Sequence, residues 1–146
     1  MSAMSKTRLL AALLLLAGCG KEVGRIPFAA EGSSRVSAAL DAGKVAFWTD
    51  VDLDYEGSAT LDYQVALIQH GTRVATAACN ALGPIRTKLL WVESERGSAR
   101  SRRGLGRMEC SATLPKGGPT TVEASLAFGV RPLAATIRRA DLVVKQ

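Results

Sequence analysis

The 146-residue chain holds a single histidine, His70, so no cluster of imidazoles is present to grip a zinc ion. No serine stands in a Gly-x-Ser-x-Gly elbow, which removes one common hydrolase design. The three cysteines, at positions 19, 79 and 110, form no Cys-x-x-Cys pair and so no ordinary dithiol redox motif. Internal repeats and low-complexity tracts are lacking. Past residue 20 no apolar run approaches the ~20 residues that cross a bilayer as a helix. No stretch there carries apolar residues at helical spacing for long either; Ala38–Ala42 comes nearest and is too short. These gaps point away from an enzyme.

What is present begins at the N-terminus. Lys6 and Arg8 are followed by an uncharged apolar run, Leu9–Ala17, of roughly nine residues, the layout of an export signal rather than of a membrane span. The segment Leu16-Ala17-Gly18-Cys19 resembles the lipobox of bacterial lipoproteins: a branched apolar residue, two small residues, then cysteine. That resemblance implies acylation of Cys19, removal of residues 1–18, and attachment to the cell envelope through the N-terminal lipid. Gly20 in place of aspartate implies the outer membrane by the usual sorting pattern. Residues 19–24 then read as a lipidated tether and residues 25–146 as one domain, a length that supports a hydrophobic core. Losing Lys6 and Arg8 with the leader lowers the formal charge from +6 to +4. With Cys19 taken by lipid, Cys79 and Cys110 are expected to form a disulfide in an oxidising compartment.

The mature chain is dominated by period-two alternation, the pattern of strands with one buried face. It recurs over Val36–Leu40, Lys44–Tyr55, Leu61–Leu67, Thr72–Asn80, Lys88–Glu93, Met108–Leu114, Val122–Val130 and Ala134–Lys145. His70-Gly71 reads as a hairpin turn and Pro115–Pro119 as another. Residues 93–106, rich in glycine, serine and arginine, read as a loop or a long hairpin end. About eight short strands with turns between them predict an all-β, two-sheet sandwich of jelly-roll type.

Three groups carry candidate chemistry. Asp50, Asp52 and Asp54 alternate along one strand face, so their charges crowd together where a hard cation such as calcium can neutralise them. Arg96, Arg100, Arg102, Arg103 and Arg107 lie among glycines and serines as a candidate contact for an envelope protein or surface component, since guanidinium forks match carboxylates and phosphates. No stacking aromatics are interleaved with them, which argues against nucleic acid. Trp48 falls on the acidic face by parity and is a candidate platform for a sugar ring. The reading is a non-catalytic, membrane-anchored interaction or structural module without a cofactor; the alternative is a calcium- or carbohydrate-binding sandwich. Replacing Cys19 with serine is expected to leave the precursor unacylated and uncut. Intact mass of the membrane fraction checks this, and normal processing of the variant rules the lipobox out.

Overall fold

The alternation becomes nine strands: β1 (Glu22–Ile26), β2 (Gly32–Leu40), β3 (Gly43–Glu56), β4 (Leu61–Gln69), β5 (Thr72–Asn80), β6 (Ile85–Arg96), β7 (Ala99–Leu114), β8 (Gly118–Phe128) and β9 (Ala134–Lys145). They come from a computed structural model that describes residues 20–146; Cys19 and the leader lie outside the described residues. One sheet has the order β1-β9-β3-β7-β6 and the other β2-β8-β4-β5. Strands pair antiparallel with their mirror images in the sequence: β1 with β9, β2 with β8, β3 with β7, β4 with β5. The chain is one long two-stranded ribbon bent over on itself, the jelly-roll plan. β6 is the addition to it, an edge strand hydrogen-bonded to β7.

The inner faces meet as the alternation requires. Val45, Phe47, Val51 and Leu53 of β3 have no exposure, nor do Leu61, Tyr63 and Leu67 of β4, Val122 of β8, or Leu142 and Val144 of β9. One polar link crosses this core. The Tyr63 hydroxyl, from the four-stranded sheet, donates to Ala140 O at 2.7 Å and lies 2.8 Å from Thr49 Oγ1, both in the five-stranded sheet. Burial pushes the phenol well above the ordinary tyrosine range, with the Thr49 bond opposing and the charges of Asp141 and Asp50 adding. Tyr63 is therefore a fixed, neutral pin that sets how the two sheets face each other.

Two expectations are corrected. Residues 20–24 are not a free tether: β1 starts at Glu22, and Lys21 and Gln146 exchange backbone hydrogen bonds at 3.3 and 3.2 Å. β1 shows little alternation because backbone pairing with β9 holds it, with only Ile26 fully buried. Residues 93–106 are not a loop but the outer half of the β6–β7 hairpin, closed by the two-residue turn Gly97-Ser98 with Gly97 at φ 61°. Its apolar signal is hidden because the inward positions of β7 there are Gly104 and Gly106. The Trp91 ring fills that space from β6: a Cβ on either glycine would stand 2.8 Å from an atom of Trp91. β6 bulges at Leu90-Trp91 to deliver the ring, with Leu90 at φ 52°.

The expected disulfide is present. Cys79 of β5 and Cys110 of β7 are bonded across the two sheets with Cα atoms 5.5 Å apart. It closes a separation of 31 residues, so loop-closure entropy alone gives a stabilisation of about 3–4 kcal/mol. Cys79→Ala/Cys110→Ala is expected to lose that amount in urea unfolding, and to match the wild type measured with reductant. Equal stabilities in oxidising buffer would contradict it.

Candidate functional site

Asp50, Asp52 and Asp54 project from the outer face of β3, as their spacing requires, and β3 lies in the middle of its sheet. Neighbouring strands answer them with arginines. Arg25 of β1 donates to Asp50 at 2.8 Å and to Asp141 at 3.0 Å, and Arg139 of β9 reaches Asp50 at 3.1 Å. Arg138 donates to Asp52 at 3.0 Å and Asp54 at 2.9 Å, while Arg103 of β7 stands 3.5 Å from Asp52. Both Arg138 and Arg139 reach this face because β9 bulges between the partners of Asp52 and Leu53. At Asp52, desolvation works to raise the carboxyl's pKa, but the hydrogen bond from Arg138 and the charges of Arg103 and Arg138 outweigh it and hold it below the usual carboxylate range. The calcium site expected at these three aspartates is thus corrected to an ion-pair mesh: guanidinium groups take the oxygens a cation would need. Among the described residues no cluster of three His, Cys, Asp or Glu suits a metal.

The five arginines do not share a surface. They sit on strands, where successive side chains point to opposite faces. Arg103 and Arg107 stand on the outer face opposite Asp52 and Trp48. Arg100 and Arg102 point the other way, and Arg96 ends the exposed edge strand β6. Arg102 is structural. Its side chain is 13% exposed, donates to Ala81 O at 2.9 Å and Gly83 O at 3.1 Å, pairs with Glu93 at 3.2 Å, and lies 5.4 Å over the Trp91 ring. A shared contact through all five is ruled out by this geometry.

Trp48 is on the outer face but is not a sugar platform: its exposure is 6%, and the Lys145 ammonium sits 4.0 Å from the ring centre. Parity placed the ring correctly, and the cation that covers it comes from β9, a strand about a hundred residues on. His70, with φ 51°, forms a two-residue turn with Gly71 at φ 76°, the doubly left-handed pair of a type I′ hairpin.

Two of the surface concavities bear on binding. A polar trough of about 620 Å³ runs over the outer face of the four-stranded sheet, between Arg35, Gln64, Arg73, Thr76 and Glu123. A second, of about 440 Å³, lies at the end of the sandwich where β3 stops and β7 and β9 start, lined by Tyr55, Glu56, Arg96, Ala99, Arg100 and Ala134. Hydrogen bonds fix its rim: Gly57 N–H to Ser98 O at 2.9 Å, Ser98 Oγ to Glu56 at 3.0 Å, and Leu133 N–H to Glu56 O at 2.9 Å. Leu133 itself is 83% exposed beside it, and Val130 is exposed in the same turn. The groove was not foreseen because it joins three distant segments. Its one local trace is Leu133, an apolar residue after Pro132 in a turn, where alternation gives it nothing to bury against.

Arg102→Ser strands two backbone carbonyls and Glu93, so a loss of about 2–3 kcal/mol is expected, whereas Arg96→Ser should leave stability unchanged. Thermal melts of both variants check this; an unshifted Arg102→Ser melt would show the cluster to be decorative. No protein-family model matches this chain, and no curated protein or solved structure is significantly similar to it.

Proposed function

We propose that the chain is an envelope lipoprotein whose sandwich is a non-catalytic interaction module, held to the membrane by Cys19 and presenting the groove at its opposite end. The observation that carries this reading is the position of the first bonded residue. Lys21 is already paired with Gln146, which leaves Gly20 alone between the sandwich and Cys19. β3 starts at that end with Gly43 and spans 14 residues to Glu56, beside the groove. At ~3.3 Å per residue the groove stands about 40 Å from the anchored end. The anchor therefore supports a rigid body, and its outward tip is where the exposed Leu133 and the Arg96–Arg100 side chains lie.

The chemistry of that tip fits a protein segment with an apolar residue beside carboxylates. Leu133, Tyr55, Ala99 and Ala134 offer apolar surface, and Arg96 and Arg100 bracket it with donors. Arg100 already holds Glu95 at 3.3 Å, a solvent-facing pair that a partner carboxylate can replace at little cost. Of the five arginines read as a contact, these two remain assigned to it.

The test is crosslinking and affinity capture of the lipidated protein from its own envelope, read by mass spectrometry, with Leu133→Asp and Arg96→Ser/Arg100→Ser as comparisons. Partners captured by the wild type are expected to be lost from both variants, while melting temperatures stay within the range of ordinary surface changes, about 0.5 kcal/mol. Equal capture by all three proteins would take the groove out of the reading.

A further inference from the structure

Most lysines of this molecule lie apart from the arginines, although Arg86 and Arg107 line a small cavity beside Lys44. After residue 19 there are five lysines, and Lys21, Lys44, Lys116 and Lys145 share one end of the sandwich. Register places them together: Lys145 opposes Glu22 and Ala46, Lys44 opposes Thr113, and Gly118 opposes Leu40. Gly117 packs on the Leu40–Ala42 turn, and Lys116 O accepts a bond from Gln69. Arginines occupy the sheet faces and the far end, where Arg25, Arg100, Arg102, Arg103, Arg131, Arg138 and Arg139 each hold a carboxylate. Among the described residues no lysine makes an ion pair. Among the described residues Asp41 is the acidic side chain in the turns of this end; neighbouring Glu22 is held by Arg25 at 2.9 Å, and Glu109, beside Lys44, faces Arg86 at 3.7 Å.

We infer that this lysine end is a docking face for a bilayer surface bearing anionic lipid phosphates. The inference rests on acylation of Cys19, and chain length ties the two together. Lys21 is locked to Gln146, so the acylated residue is two positions from the rigid body, ~7 Å at full extension. That is within the ~8 Å over which charges act at physiological salt. The anchor keeps this end within reach of the headgroups. A compact ammonium on a flexible stem suits a disordered layer of phosphates, which offers no fixed fork for a guanidinium to match. Lys145 is the partial exception, half-buried over Trp48, which places its charge at the edge of the face.

The docked domain stands upright, with the distal groove facing away from the membrane. Without the lysines the anchor alone would let it tumble and lie on its side.

The test is hydrogen exchange of the acylated protein reconstituted in vesicles of phosphatidylcholine alone or with about one-third phosphatidylglycerol. In the anionic vesicles the turns at 41–42 and 115–117 are expected to be protected, and the 97–98 hairpin tip is not. Protection is expected to vanish in neutral vesicles and in molar salt, and to fall by about fivefold for each lysine removed. Lys21→Gln/Lys44→Gln/Lys116→Gln is the main variant, since these three are exposed and the Lys145 contact to Trp48 is kept. Equal exchange in both vesicle types would overturn the inference. Protection produced by inorganic phosphate without vesicles would overturn it too, by showing an isolated anion site. Intact mass reports the acyl group separately: its absence removes the anchor reading, and co-sedimentation of that unacylated protein with the two vesicle types then decides whether the lysine face binds lipid by itself.

Discussion

The five-stranded sheet is organised around a charge constraint. Three aspartates on one face of a central strand repel one another, and a central strand has neighbours on both sides that must supply the cure. β7 gives Arg103, β9 gives Arg138 and Arg139 by bulging, and Arg25 reaches in from β1 to bridge Asp50 and Asp141. Strand order, the bulge and the outer-face composition all answer to that row. Pairs of this kind contribute little one at a time in water. As a mesh they act on specificity: a one-residue slip of β9 against β3 would turn its arginines away from the aspartates and its apolar side chains outward at once.

The same constraint sorts the remaining groups. Arginine, with its planar fork, is used where a carboxylate must be matched, and the tip groove takes two arginines from the strand ends that the mesh does not reach. Lysine is left for the end where Gly20 enters. Apolar surface is sorted as well. Trp91 lies in the core layer over two glycines, while Leu90 beside it is 95% exposed on the edge strand. The bulge that buries one residue turns out its neighbour, and the distortion breaks the regular edge that another strand would need for pairing.

Much of the fold was legible because both faces of most strands are written in alternation: Leu61, Tyr63, Val65 and Leu67 inward, Asp62 and Gln64 outward. It failed where the inward residue is supplied from elsewhere. Gly104 and Gly106 carry no apolar signal, since the side chain filling their space belongs to Trp91. β1 was illegible for a different reason: its pairing is made by backbone groups, which every sequence possesses. The site was less legible than the fold. Parity separated Arg103 from Arg102 in principle, but nearness in sequence suggested one surface. The cover of Lys145 over Trp48 and the meeting of Tyr55, Ala99 and Ala134 are long-range facts with no local trace.

β9 pairs with both β1 and β3, so the larger sheet is joined by residues 134–145, a segment far along the chain from both partners. A chain in which that segment is not yet placed lacks the stave between β1 and β3. Until then β1 has no partner in its sheet, Tyr63 has no Ala140 carbonyl to donate to, and Asp52 and Asp54 lack Arg138. The topology thus ties closure of the larger sheet, the core pin and the charge mesh to the placement of this one strand.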